Sequence, residues 1–418
     1  MNLPHLRFKE FNGEWNKVEI QDFFQFIDGD RGKNYPNEKD FKQSGYCLFL
    51  NAHNISETGL IFENSNWISK EKHLSLRKGT AEYGDLILTT RGSKLGKIAL
   101  YDESVPYSVV RINSAMLLIR KKCEISLDFS LYLFKEKILP NFISRNIVGS
   151  AQPHVTVKDL KKIKIGIPLN FNEQKKIGTF FSLIDSKIEK QQEKINLLKA
   201  QKKGYMQRIF KQEIRFKDEN GEEYPEWKTF ELNKLGTFGK SYSFSRAVEG
   251  KGIYSYIHYG DIHSNYPTVC EDIQFPTIME VLDYELVCEN DIIFADASED
   301  YADLGKAILV RNTLNQHIIA GLHTHKFTPN EKLNSLYFIY YTQSRYYEKF
   351  IKRMGTGVSV LGISKTNLNK LEVPLPSIEE QQKIGQTLYL LDQKIRHEGN
   401  KIKLMEERKQ GFMQKMFI

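Results

Sequence analysis

The sequence predicts a mixed α/β (α+β) fold built twice: two globular domains separated by two long antiparallel coiled-coil helices, in a pseudo-twofold internal repeat. Three observations predict it. Residues 172–211 and 379–418 are copies of one segment. Each copy carries an apolar heptad seam along its length. The stretch before each copy alternates short apolar runs with turns rich in Gly, Asn, Asp and Ser. The boundaries read as a globular part at 1–170, a helix at 171–211, a second globular part at 212–376 and a second helix at 377–418.

At a constant offset of 207, 17 of the 40 positions in the two copies are identical, where ordinary composition would give roughly two or three. The matches include Glu173/Glu380, Gln174/Gln381, Ile177/Ile384, Gly178/Gly385, Asp185/Asp392, Gly204/Gly411 and Phe210/Phe417. Upstream, Gly149/Gly357, Leu160/Leu368 and Pro168/Pro376 correspond at offset 208. Gly84-Asp85-Leu86-Ile87 resembles Asn290-Asp291-Ile292-Ile293, and Leu95-Gly96-Lys97 matches Leu304-Gly305-Lys306. Arg7-Phe8-Lys9 matches Arg215-Phe216-Lys217.

In the first helix, Ile177, Phe181, Ile184, Ile188, Gln191, Ile195, Leu198, Lys202, Tyr205 and Ile209 follow each other at steps of four and three. In the second, Ile384, Leu388, Leu391, Ile395, Glu398, Ile402, Met405, Lys409, Phe412 and Met416 do the same. Such a period is that of a coiled-coil seam. Both copies break it with polar residues at the same two places, Gln191/Glu398 and Lys202/Lys409, which would cost stability and fix register. Forty residues exceed what a surface helix of one domain needs and span roughly 60 Å. Because the second helix starts where the second globular part ends, the two helices pair only by running antiparallel.

In the globular parts, 83–90, 97–101, 114–120, 291–295 and 306–311 read as strands. The stretches 127–143 and 335–354 read as helical, and KKIKIGIP and NKLEVPLP as strands ending at proline.

Composition bounds the function. The N-terminus lacks the apolar core of a signal peptide, and no apolar run reaches the roughly 18 residues of a membrane span. The chain is therefore expected in the cytoplasm. Cys47, Cys123, Cys270 and Cys288 have no zinc-like spacing and read as reduced thiols. Net charge is +8, with +6 on 172–211 and +2 on 379–418, so the globular parts are balanced. A nucleic-acid surface there has to be a local patch.

Enzyme motifs are missing. Gly92-Ser93-Lys94-Leu95-Gly96-Lys97-Ile98 has its glycines one residue too close for a phosphate loop, and no Ser or Thr follows the lysine. There is no GxGxxG run, and no Asn-Pro-Pro-Tyr or Asp-Pro-Pro-Tyr motif of amino-methyltransferases. His323-Thr324-His325 has no evident third metal ligand, and Asp291, Asp296 and Asp300 fit no nuclease spacing. No catalytic and no metal-ligating set is expected.

What remains are loops whose side chains suit DNA. Arg, Lys, Asn and Gln reach base edges, while Ser, Thr and backbone amides hold phosphates. In the first part these are Arg31, Lys33 and Asn34; Arg91, Ser93, Lys94 and Lys97; and Gln152 and His154. In the second they are Ser241 and Arg246; Ser298, Tyr301 and Lys306; and Arg353, Thr356 and Ser359. The seam residues are the candidates for pairing and for partner subunits. A self-sufficient nuclease or methyltransferase and a scaffold with no DNA role are the alternatives.

The two-copy layout resembles the specificity subunit of type I restriction-modification systems. The residues that carry this are EQKKIG/EQQKIG, Asp185-Ser186-Lys187-Ile188 and Asp392-Gln393-Lys394-Ile395, and the ends Gly204-Tyr205-Met206-Gln207 and Gly411-Phe412-Met413-Gln414. The strand–proline segments and the Gly-Asp-Leu-Ile…Leu-Gly-Lys pattern match as well, with Asn290 standing for the usual glycine. The resemblance implies two target-recognition domains, each reading half of a split, asymmetric double-stranded DNA sequence. It implies helices that set the half-site distance, about 17 base pairs at ~3.4 Å each over a rod of roughly 60 Å. Implied partners are two methyltransferase subunits, which use S-adenosylmethionine on adenine, and two restriction subunits, which use ATP and Mg2+. No cofactor is implied in this chain.

Overall fold

The computed structural model describes residues 3–56, 59–146, 155–244, 246–279 and 283–417. It falls into two compact units, Met1–Glu193 with Gly399–Ile418, and Lys194–Glu398. The central helix Phe171–Phe210 and the C-terminal helix Ile378–Met416 are each divided between the units. Each unit thus holds one globular part and one segment of each helix.

In unit 1 the strands are β1 (Trp15–Glu19), β2 (Phe24–Asp28), β3 (Cys47–Leu50), β4 (Asn66–Ile68), β5 (Leu86–Thr89), β6 (Ile98–Leu100), β7 (Val110–Ile112), β8 (Met116–Lys121) and β9 (Lys164–Pro168). They form a sheet β2-β8-β5-β6, a sheet β4-β3-β7 and a pair β1-β9. Strands β3, β5 and β7 are buried along their whole length; β3 is an unbroken apolar run, whereas β5 ends in Thr89 and β7 holds Arg111, whose guanidinium donates to the His73 and Leu76 carbonyls.

In unit 2 they are β10 (Lys228–Glu231), β11 (Gly236–Phe238), β12 (Glu249–Ile257), β13 (Val269–Cys270), β14 (Thr277–Ile278), β15 (Asp291–Ala295), β16 (Ala297–Ser298), β17 (Ala307–Val310), β18 (His317–Ala320), β19 (Thr324–Pro329), β20 (Leu361–Gly362) and β21 (Glu372–Leu375). The sheets are β11-β19-β15-β17-β13 and β14-β12-β18, with pairs β10-β21 and β16-β20. The order of unit 1 recurs here, including the parallel pairs β3-β7 and β12-β18, with β13 added at the edge of the larger sheet and the pair β16-β20 added beside it. The repeat read from the helices therefore extends through the globular parts.

Two helical stretches differ from expectation. The segment 335–354 is two helices, Ser335–Tyr341 and Arg345–Met354, because Ser344 caps the second through the Tyr347 N–H. The segment 127–143 starts as Leu127–Tyr132, widens into a π-type turn over Leu133–Ile138 and resumes at Leu139–Asn146. Pro140 has no N–H to give the preceding turn.

The repeated helix start is a docking motif. Glu173 is 1% exposed; its carboxylate accepts from Arg7 Nε at 2.7 Å, Arg7 Nη2 at 2.8 Å and Trp15 Nε1 at 3.2 Å. Glu380 repeats this with Arg215 at 3.2 and 2.7 Å and Trp227 at 3.0 Å. Gln174 Oε1 accepts from the Ser126 N–H, and Gln381 Oε1 from the Asn334 N–H. Each glutamine also donates to the carbonyl of the strand-ending proline, Pro168 or Pro376. A Cβ on Gly178 would stand 2.5 Å from the Phe129 nitrogen, and one on Gly385 2.8 Å from the Tyr337 nitrogen. Only glycine lets each helix approach its domain that closely.

The seam is buried as expected at Ile177, Phe181, Ile195, Leu198, Ile384 and Leu388. Ile184, Ile188, Leu391, Ile395, Ile402 and Met405 are half-buried. Near the ends the pattern slips by one residue: Tyr205 is 38% exposed and Met206 is buried in its place, and Met413 is more buried than Phe412. A helix of 3.6 residues per turn drifts against a strict heptad, so the buried stripe moves round. The polar breaks are internal pairs: Lys202 with Asp392 in unit 2, Lys409 with Asp185 in unit 1, and Lys194 with the buried Glu398 in unit 2.

The turn at Asn290 is also settled. Gly84 and Asn290 both have positive φ, 96° and 71°, and both N–H groups donate to the strand opposite, at Tyr101 and Val310. Asparagine tolerates this conformation. The following Asp85 and Asp291 are buried and accept from the Glu82 and Cys288 N–H groups, both at 2.8 Å.

Candidate nucleic-acid interface

In unit 1 the loop between β5 and β6 is closed at its base. The Thr89 N–H donates to the Lys97 carbonyl at 2.9 Å and the Gly96 N–H to the Thr89 carbonyl at 3.0 Å. Gly92 and Gly96, at φ near +83° and +82°, turn the chain. Arg91 and Ser93 are exposed, while Lys94 and Lys97 are half-buried. The Arg91 guanidinium donates to the Ser114 carbonyl and hydroxyl, each at 3.0 Å.

A second loop joins it there. The Ser114 N–H donates to the Tyr35 hydroxyl at 3.3 Å, which brings 31–35 beside the Arg91 loop. Arg31, Lys33 and Asn34 are exposed on that loop. Arg31 faces Asp28 at 3.5 Å, and Asn34 donates to the Ser75 carbonyl. Asp30 shapes the turn: burial works against its charge, but the N–H groups of Gly32, Arg77 and Lys78 hold its pKa below the ordinary value. Through Ser114 the loop that carries Arg31, Lys33 and Asn34 lies beside the loop that carries Arg91, Ser93 and Lys94. Gln152 and His154 lie outside the described residues.

Unit 2 repeats the frame with different chemistry. The Ala295 N–H donates to the Lys306 carbonyl and the Gly305 N–H to the Ala295 carbonyl. The next contact repeats too: Val155 N–H to the Thr90 carbonyl in unit 1, Ile363 N–H to the Asp296 carbonyl in unit 2. On this frame, residues 90–97 carry Arg91, Lys94 and Lys97, whereas 296–306 carry Asp296, Glu299, Asp300 and Asp303 against Lys306 alone. The same loop has charge +3 in one unit and −3 in the other.

Two unit 2 candidates are committed elsewhere. Ser298 is a correction: it is 6% exposed on β16, and its hydroxyl accepts from the Asp300 N–H, so it shapes the turn instead of facing a ligand. Lys306 donates to the His263 carbonyl and to Asp303 at 3.1 Å. Tyr301, Arg353, Thr356 and Ser359 are exposed, with the Tyr301 ring against Gly355. Arg246 is exposed and donates to Asp261 at 2.8 Å; Ser241 is half-buried. Arg246 reaches the same region through the neighbouring His258 and Tyr259, whose ring stands 5.3 Å from that of His323.

His323 and His325 do not share a strand face. His323 precedes β19 with φ +54°, and the two rings meet Asp296 at 3.1 and 3.6 Å. Asp296 is thus the acidic partner of both rings, a pairing that the sequence did not place. Burial keeps the pKa of His325 below the ordinary value despite the Asp296 charge. Among the described residues, no group of three His, Cys, Asp or Glu side chains is placed to hold a metal ion. Burial pushes the Cys47 and Cys270 thiols up to about 12, the opposite of a reactive thiolate. Among the described residues, no helix is long and apolar enough to cross a membrane.

Sequence reasoning passed over an outer face of the helices. Leu197 and Leu404, repeat partners, are 65% and 46% exposed, and a Cβ on Gly204 or Gly411 would meet nothing within 4 Å. Leu197, Gln201, Gly204 and Arg208 follow at steps of four and three, as do Leu404, Arg408, Gly411 and Lys415. The recurrence of Leu197 as Leu404 and of Gly204 as Gly411 is the signal in the sequence for this second stripe of the same period.

Comparison with known proteins places these features. A family model for the type I restriction modification DNA specificity domain matches residues 12–200 and again 224–407. The chain is 24% identical to the specificity subunit assigned to the type I restriction enzyme MjaX of Methanocaldococcus jannaschii, over 99% of this chain and 95% of that one. It is also 24% identical to the MjaVIII specificity subunit of the same organism, over 97% and 94%. In fold it is similar to the S subunit of a type I restriction-modification system from M. genitalium, with TM-score 0.58 at 17% identity and coverage of 100% and 99%. A chain from a study of complex assembly and conformational transition of the type I R-M system gives TM-score 0.59 at 16% identity, covering 97% and 98%.

Proposed function

From the premise that this chain belongs to the type I restriction-modification DNA specificity family and serves in DNA sequence recognition, we propose that each unit reads one half of a split, asymmetric double-stranded DNA site. The observation that carries this is the β5–β6 loop and its counterpart, one frame with charge +3 and −3. Two readers with opposite chemistry at one position select different bases. Arginine and lysine suit guanine, and carboxylates accept from the cytosine amino group.

The chain itself carries out no chemistry. Its bound site directs adenine methylation by methyltransferase subunits that bring S-adenosylmethionine, and cleavage by restriction subunits that bring ATP and Mg2+. Two of each join it in the cytoplasm. The duplicated outer face supports this assembly. A glycine costs about 1 kcal/mol in a helix interior, and no neighbour among the described residues explains Gly204 or Gly411. A partner backbone packed over Leu197–Gly204, and another over Leu404–Gly411, accounts for both.

The test is expression of the chain with its methyltransferase, followed by mapping of methylated adenines. One asymmetric bipartite motif supports the reading. Methyl transfer by the purified chain alone contradicts it.

A further inference from the structure

We propose that Val358 and Val360, at the tip of residues 356–362, read thymine methyl groups in the half-site of unit 2. This rests on the reading above that unit 2 recognises DNA. The tip is a built structure. The Thr356 N–H donates to the Gly362 carbonyl at 3.0 Å and the Gly362 N–H to the Thr356 carbonyl at 2.7 Å, which closes the turn. Gly357 has φ +119°, and a Cβ there would stand 2.1 Å from the Val360 carbonyl oxygen, so the chain folds back on itself only with glycine. Leu361 anchors the tip, 6% exposed in the core of unit 2, and β20 pairs with β16.

On this fixed support Val358 is 98% exposed and Val360 62%. A closed, anchored turn that holds two β-branched apolar side chains in water gains nothing for its own unit. The tip also borders the candidate interface: the Ile363 N–H that follows it bonds to the Asp296 carbonyl, and Ser298 pairs with Leu361. Arg353 and Lys352, exposed on the last turn of the preceding helix, suit the phosphates flanking a groove. The major groove offers one apolar group to such a tip, the thymine C5 methyl. Valine is too short for the Phe, Leu or Met wedges that unstack base steps from the minor groove. At the corresponding places of the first copy, offset 208, the sequence has Ser150 and Gln152, so the two copies carry different chemistry here.

The experiment uses the complex of the full chain with its methyltransferase and a duplex carrying the mapped site. Each thymine is replaced in turn by deoxyuridine, which lacks the methyl group, and binding is followed by gel shift. One or two replacements in a single half-site are expected to weaken binding roughly fourfold each, the worth of one buried methyl-sized group. Val358→Ser with Val360→Ser, which leaves no methyl group on the exposed tip, removes that sensitivity in the same half-site and leaves the other half-site unchanged. Val358→Gly with Val360→Gly serves as a second variant with the same expectation. A wild-type complex indifferent to every deoxyuridine, a unit 2 half-site without an A·T pair, or variants that keep the thymine preference would each overturn the proposal. A wild type that methylates no bipartite site at all sinks the reading it rests on as well.

Discussion

Lys202 Nζ stands 2.7 Å from both carboxylate oxygens of Asp392, and the Tyr340 hydroxyl donates to that carboxylate at 2.9 Å. The other copy repeats the group: Lys409 lies 2.9 Å from Asp185, which accepts from Tyr132 at 2.8 Å. Each lysine comes from one helix and each aspartate from the other, and the tyrosine belongs to the domain that they dock. Asp392→Ala leaves a mostly buried ammonium and a buried hydroxyl unpaired, and is expected to destabilise unit 2 by roughly 1–3 kcal/mol. Lys202→Met together with Asp392→Leu is expected to cost less, because no charge is stranded. Urea unfolding of the two variants checks the order.

Two pairs of repeated glycines should respond in opposite ways. Gly178→Ala and Gly385→Ala drive a Cβ into a neighbouring backbone and are expected to lower stability by roughly 1–3 kcal/mol. Gly204→Ala and Gly411→Ala meet nothing, and are expected to raise stability of the isolated chain by about 0.5–1 kcal/mol each. The same two changes should weaken assembly with the methyltransferase, read by analytical ultracentrifugation. Assembly unchanged in the Gly204/Gly411 double variant would remove the outer face from the account.

The buried carboxylates Glu173 and Glu380 each tie an Arg and a Trp from the start of their domain to the helix. Glu380→Ala leaves the Arg215 guanidinium without its partner, and a loss of roughly 3–5 kcal/mol is expected. Hydrogen exchange should place that loss in unit 2 and leave unit 1 protected, with the reverse for Glu173→Ala.

Acid should act unevenly. Burial holds His258, His263 and His325 of unit 2 below the ordinary histidine value of 6.5, but only His73 among the described residues of unit 1. Above that pH both folded and unfolded chains are neutral at these rings, and nothing is lost. As pH falls through 6.5 the unfolded chain takes up protons that the folded unit refuses, so stability drops until the folded values are reached. Hydrogen exchange at pH 7 and pH 5 should show unit 2 losing more protection than unit 1.

Much of this architecture was legible in the sequence, because repetition and period survive without tertiary knowledge. Strand 291–295 and both strand–proline segments stand where the alternation put them. The polar seam breaks were legible as positions but not as ion pairs, since Asp185 and Asp392 lie outside the heptad list and face the other helix. Tyr205 yielded to Met206 because helical drift accumulates over forty residues. Ser298 was misjudged because a two-residue strand, β16, leaves no periodic signal. The loop 355–359 was read as a candidate contact, but Thr356 and Ser359 were chosen from it and Val358 and the following Val360 were not, because contact chemistry was sought in polar side chains, although the change from Ser150 and Gln152 was visible in the alignment of the copies.

The most direct test of the central claim is the map of methylated adenines in cells that carry this chain and its methyltransferase, repeated with the loop residues Arg91 and Lys94 changed to Ala. A single asymmetric bipartite motif is expected, with the variant relaxing one half and leaving the other intact. A palindromic motif, or relaxation of both halves together, would contradict two independent readers in one chain.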